Sequence, residues 1–167
     1  MGMLFSDSSS QVMSFDAISI VGTGGFGKTT LARLILKEEE VTIAFEKTMW
    51  VCVSKPFDHT RIVKEIIEQA GEKIPDVVGW DALHKYLCES LRGKKFILVL
   101  DDVWTKDAND WNPLKFALDG GASGSRVLIT THNEKVAHMM GSTQNHKLGG
   151  LSKDDSWLLF KLIAFQG

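Results

Sequence analysis

Cysteine is scarce in this chain: Cys52 and Cys88 are the whole supply, and they form neither a C-x-x-C pair nor a Cys/His cluster. Two are too few for a disulfide framework and point to a reduced, cytoplasmic setting. Long apolar runs are missing too. The main ones, Ala17 to Val21 and Phe96 to Leu100, fall far short of the ~20 residues a membrane-crossing helix needs, so no span is expected. The opening stretch MGMLFSDSSSQVMSF has no basic start and no sustained apolar core, which excludes a secretory signal. Neither sign of charge dominates. A formal net charge of -2 gives no broad attraction to nucleic acid or to an anionic membrane. His132 and His138 lie six apart and no other spacing suits zinc, so surface histidines are the simpler reading. The arginines, Arg33, Arg61, Arg92 and Arg126, mark no lid-like insertion of the kind a small-molecule kinase uses.

What is present is an alternation. Runs rich in β-branched or apolar residues fall at Ala17 to Val21, Thr48 to Val53, Lys95 to Leu100, Arg126 to Thr131 and, more weakly, Asn145 to Leu148. Helical periodicity occupies Lys28 to Leu36, Thr60 to Ala70, Asp81 to Leu91, Glu134 to Met140 and Lys153 to Phe165. Strands that read as near-continuous apolar runs, separated by helices, predict an α/β fold with a parallel sheet sandwiched by helices. The last helix has Ser152 with Asp155 three residues later as a start signal. Glu38-Glu39-Glu40 reads as a solvated helix end, and 167 residues suffice for one core.

Gly22-Thr23-Gly24-Gly25-Phe26-Gly27-Lys28-Thr29 matches G-x-x-x-x-G-K-[ST] and lies directly between the first strand and the first helix. Gly22, Gly24, Gly25 and Gly27 let backbone N–H groups turn inward around a β-phosphate, in conformations that a Cβ hinders. The helix N-terminus, where Thr30 also lies, adds free amides and partial positive charge. Lys28 reaches the β- and γ-phosphates, and the Thr29 hydroxyl is placed to ligate Mg²⁺. The expected ligands are therefore ATP or ADP with Mg²⁺.

Phe96 to Leu100 followed by Asp101-Asp102 has the form of a buried strand ending in carboxylates, and ligands of open α/β sheets sit beside strand C-termini. Asp101 is expected to face the Mg²⁺ held by Thr29, and Asp102 to act as the base that orients or deprotonates an attacking water. The strand ending in Thr130-Thr131 would bring two hydroxyls to the same edge, within reach of a γ-phosphate.

In order and wording these motifs resemble the NB-ARC domain of plant disease-resistance proteins of the nucleotide-binding, leucine-rich-repeat type. GTGGFGKTTLA at 22–32 resembles that family's phosphate loop and FEKTMWVCVSKPFD at 45–58 its following segment. KKFILVLDDVW at 94–104, GSRVLITTH at 124–132 and LGGLSKDDSWLLFKLIAF at 148–165 are similar to its next three motifs. Trp104 resembles the coiled-coil subclass. The resemblance implies a P-loop NTPase with the strand order of AAA-type ATPases, the Thr130 strand lying between those of the phosphate loop and Asp101. It also implies an ADP/ATP-switched immune receptor whose partners are other receptor domains or full-length receptors. It divides the chain into a poorly ordered upstream segment, residues 1–15, and a nucleotide-binding subdomain, residues 16–167, with helical subdomains and repeats absent. Where the family reads Thr-Thr-Arg this chain has His132, so a histidine takes the γ-phosphate sensor position in place of a permanently charged arginine that can fork onto a phosphate.

Three functions remain open at this point. The first is a nucleotide-dependent switch with at most weak ATPase activity. The second is a stand-alone P-loop ATPase or kinase in which turnover matters. The third is a truncated remnant that binds nothing.

Overall fold

A computed structural model describes residues 15–22, 27–53, 57–76, 79–147 and 161. Their elements run β1 (Phe15–Val21), α1 (Lys28–Lys37), α2 (Glu39–Ala44), β2 (Lys47–Cys52), α3 (His59–Gln69) and α4 (Trp80–Leu91). They continue as β3 (Phe96–Asp101), α5 (Ala108–Leu118), β4 (Ser125–Thr131), α6 (Glu134–Met139) and β5 (Gln144–Lys147). All strands pair in parallel in the order β2-β3-β4-β1-β5, so β4 does lie between β1 and β3. Every residue of β3 and of β4 is buried, which suits strands paired on both sides and covered on both faces. β5 is an edge strand of Gln-Asn-His-Lys, mostly exposed, and its polar side chains leave little for another strand to pair against.

Alternation along the strands divides the core in two. Ile18, Ile20, Ile97, Val99 and Leu128 face α1 and α2, where Ala32, Ile35, Val41 and Phe45 meet them. The opposite face carries Ala17, Leu98, Leu100, Val127 and Ile129 against α3, α4, α5 and α6, with Ile62, Ile66, Leu87, Trp111 and Leu114 fully buried there. Truncating any one of these large side chains to alanine is worth about 2–5 kcal/mol. Trp111 also satisfies its indole N–H, which donates to the Met140 carbonyl at 3.2 Å.

The structure adds two helices to those expected. Glu38 is exposed and ends α1 as expected, but its extended backbone (φ −65°, ψ 131°) also opens α2, and Glu39 and Glu40 occupy the first turn of α2, where the helix dipole favours them. α5 forms despite Pro113 in its interior, started by Asp107, whose carboxylate accepts from the Asn109 N–H at 2.9 Å. At the other end, β1 begins at Phe15, which is buried with its ring 6.5 Å from that of Phe96. Phe15 therefore belongs to the sheet and not to the preceding segment. The helix expected from Lys153 to Phe165 lies outside the described residues except for Lys161, which is helical. Among the described residues no helix is long and apolar enough to cross a membrane.

Candidate functional site

In a parallel sheet every strand delivers its C-terminal end to the same edge, and β1, β3 and β4 bring Gly22, Asp101 and Thr131 there together. The Gly22 N–H donates to the Thr131 carbonyl at 3.1 Å, which extends the β1–β4 ladder by one bond and fixes where the phosphate loop leaves the sheet. Gly24 and Gly25 lie outside the described residues. Gly27, at the far end of the loop, has φ 80° and ψ 18°. A Cβ there would meet nothing within 4 Å, so glycine is required by backbone conformation and not by space.

Gly27 is also the N-cap of α1, and it offers the helix no side-chain cap; nor does the first turn contain an acidic residue. Three other helices are capped by side chains, with Asp58 accepting from the Arg61 N–H in α3, Asp107 from the Asn109 N–H in α5 and Asn133 from the Lys135 N–H in α6, while α2 and α4 lack a side-chain cap as α1 does. The start of α1 is the positive end of its dipole and carries no acidic side chain, an arrangement suited to an anion. Lys28, Thr29 and Thr30 are its first three residues; Lys28 is buried, Thr29 half-buried and Thr30 exposed.

Thr29 is where helix and sheet meet. Its hydroxyl lies 2.9 Å from one carboxylate oxygen of Asp101 and 3.1 Å from the other. Asp101 is only 6% exposed, so its charge depends on donors within the protein. The second donor is Thr130, whose hydroxyl reaches the same Asp101 oxygen at 2.6 Å. Facing explains the meeting. Asp101 continues the Ile97, Val99 series and Thr130 the Leu128 series, so both side chains point to the α1 side of the sheet. Mg²⁺ takes hard oxygen ligands and is usually held by one or two protein groups together with phosphates and water. A hydroxyl and a carboxylate in contact beside a phosphate-loop helix fit that requirement. Among the described residues no group of three His, Cys, Asp or Glu side chains forms a metal cage of its own.

Thr131 is not brought to this cluster. It points to the opposite face, fully buried, where its hydroxyl donates to the Val103 carbonyl at 2.8 Å. The expectation of two hydroxyls facing a γ-phosphate is thereby corrected: neighbouring strand residues alternate, and Thr131 contributes a backbone anchor for Gly22 and a clamp on Val103. His132, just past β4, is exposed and rests on Trp104, with ring centres 4.1 Å apart and planes inclined by 52°. Asp102 is half-buried and adopts φ 62°, the only positive φ at a non-glycine among the described residues. Its N–H donates to the Thr130 hydroxyl at 2.8 Å, and the next N–H, of Val103, to the Thr130 carbonyl at 2.9 Å.

Cys52 ends β2 opposite Asp101, and the Val53 N–H donates to the Asp101 carbonyl at 2.8 Å. Burial pushes the Cys52 thiol above the ordinary cysteine range, and the carboxylates of Asp101 and Asp102 push it further; Arg61 opposes them.

Comparison with known proteins identifies the family. The profile of the NB-ARC domain matches residues 3–167. Disease resistance protein RGA2 of Solanum bulbocastanum is 43% identical over 157 residues, covering 93% of this chain and 16% of that protein. In Arabidopsis thaliana, disease resistance protein RPM1 is 39% identical over 158 residues, covering 89% of this chain and 17% of its own length. Disease resistance RPP13-like protein 4 is 35% identical over 165 residues, covering 97% and 19%. The chain thus spans under a fifth of the length of these relatives. Among solved structures, that of Drosophila ORC bound to DNA superposes with a TM-score of 0.51 at 16% identity, covering 91% of this chain and 46% of the other. That likeness concerns the fold alone.

Proposed function

This chain belongs to the NB-ARC domain family, and from that premise we propose that it is the nucleotide-binding switch module of a plant innate-immune receptor, holding ADP or ATP with Mg²⁺ and hydrolysing ATP slowly at most. The observation that carries the reading is the contact of Thr29 with Asp101, which joins the phosphate-loop helix to the carboxylate strand. In this reading the backbone from Gly22 through Gly24 and Gly25 to Gly27 cradles the phosphates, helped by the Thr30 amide, and Lys28 neutralises their charge. Thr29 and Asp101 would hold Mg²⁺, which would neutralise phosphate charge there. His132 occupies the γ-phosphate sensor position, and Asp102 is the base. The module extends through residue 167, works in the cytoplasm, and has other receptor domains or full-length receptors as partners.

The test is calorimetric titration of the purified chain with Mg-ADP and Mg-ATP, alongside Lys28→Ala. Binding by the wild type and none by the variant is the expected result, and an ADP preference would agree with a histidine in place of an arginine at the sensor position. A folded wild type that binds neither nucleotide overturns the proposal. A second reading, in which turnover matters, is favoured by the unusual backbone of Asp102. It predicts steady ATP hydrolysis abolished by Asp102→Asn.

A further inference from the structure

The Thr130 hydroxyl serves two neighbours at once. A threonine hydroxyl has one proton and two lone pairs; here the proton goes to Asp101 at 2.6 Å, and a lone pair receives the Asp102 N–H at 2.8 Å. One atom therefore restrains both carboxylate residues. It fixes the rotation of the Asp101 side chain, and it closes the turn that sets Asp102 at φ 62°. The backbone of the same residue completes the grip, since the Thr130 carbonyl takes the Val103 N–H at 2.9 Å.

We propose that Thr130 is a positioning residue that acts through Asp101 and Asp102 and sets the affinity of the site for Mg²⁺, without touching the nucleotide. The proposal rests on the assignment of Thr29 and Asp101 to Mg²⁺ given above. Thr29 alone cannot orient Asp101, because its single proton is divided between the two carboxylate oxygens at 2.9 and 3.1 Å. Thr130 addresses one oxygen only and so holds the carboxylate at a defined rotation. Thr130 is 1% exposed and its proton is directed into Asp101, so no donor is left over for a phosphate. Valine has the same shape without the hydroxyl. Thr130→Val leaves Asp101 with Thr29 as its remaining hydroxyl donor and deprives the Asp102 N–H of its acceptor.

The experiment measures ADP affinity of the full chain by calorimetry, in EDTA and across a Mg²⁺ titration, for wild type, Thr130→Val and Thr130→Ser, with a melting curve of each. For Thr130→Val the affinity in EDTA is expected to stay within about twofold of wild type. The Mg²⁺ concentration giving half of the tightening should rise about tenfold or more, the scale of one hydrogen bond to a charged group. Thr130→Ser, which keeps the hydroxyl, should restore it. If Thr130→Val does not fold, Thr130→Cys takes its place: the thiol is a weak donor of similar size and should give an intermediate shift. A valine variant that melts lower but keeps the wild-type Mg²⁺ midpoint overturns the proposal and leaves the site assignment standing. A wild type that binds ADP with no response to Mg²⁺ overturns the metal assignment and this proposal together, and one that binds no ADP in either buffer overturns the site itself.

Discussion

Asp102, directly after β3, keeps a left-handed backbone (φ 62°). Such a conformation costs a residue with a Cβ about 1–2 kcal/mol, less for aspartate than for most. Glycine avoids that cost but loses entropy elsewhere, so Asp102→Gly is expected to raise the melting temperature slightly, by the equivalent of up to about 1 kcal/mol. Any ATP turnover should vanish with the carboxylate. Calorimetric melting and a phosphate-release assay check the two halves, and a lower melting temperature would remove the case for strain. Cys52 gives a second prediction. A thiol raised by burial and by the carboxylates of Asp101 and Asp102 carries less thiolate at pH 8 than a free cysteine, and so alkylates more slowly. Asp102→Asn removes one of the raising charges and should shift the rate profile to lower pH. Peptide mass spectrometry reads Cys52 separately from Cys88, whose thiol is also raised, chiefly by burial.

At the scale of elements, strands and breakers were written unevenly into the chain. The buried strands were legible within two residues of each end because apolar runs such as Phe96 to Leu100 have few other uses. α2 was not, because no glycine or proline separates it from α1: the break is a single extended residue, Glu38, in a run of three glutamates. α5 was obscured by Pro113, which normally argues against a helix, although Trp111, Leu114 and Leu118 carry its buried face. The phosphate loop and Asp101 were legible as motifs. The division of labour between Thr130 and Thr131 depended on register, but strand alternation alone forbids two adjacent hydroxyls from facing one ligand. Pro113 also yields a prediction. It lacks the N–H that would bond the Asn109 carbonyl, while its own carbonyl serves His84 at 3.1 Å. Pro113→Ala supplies the missing donor and preserves that acceptor. A gain of about 1–2 kcal/mol is expected after allowing for the freer unfolded chain, and denaturant midpoints would measure it.

For the molecule as a whole, a ligand at ~100 times its dissociation constant adds about 2.7 kcal/mol of stability. For a chain of this size that corresponds to a melting shift of roughly 5–11 °C. Saturating Mg-ADP is therefore expected to raise the melting temperature of the wild type by that amount and of Lys28→Ala hardly at all. Differential scanning fluorimetry suffices, and equal shifts in both proteins would place the nucleotide away from the phosphate loop.

β4 is central in the sheet yet late in the chain, and its partner β1 lies more than a hundred residues upstream. During synthesis at ~5–20 residues per second, β1 waits roughly 5–20 s for the strand that completes it. Until then Ile18, Ile20 and Val21 have no sheet neighbour, and the start of the phosphate loop lacks the Thr131 carbonyl that anchors Gly22. A nascent chain of this topology cannot use nucleotide to protect its own folding, because Asp101 and the loop are joined only when β4 slots between them. Before β4 is made, α1 and α2 can cover one face of β1, but its hydrogen-bonding edge toward β4 stays open, so the yield of active protein in the cell should depend on chaperone supply more than on nucleotide concentration.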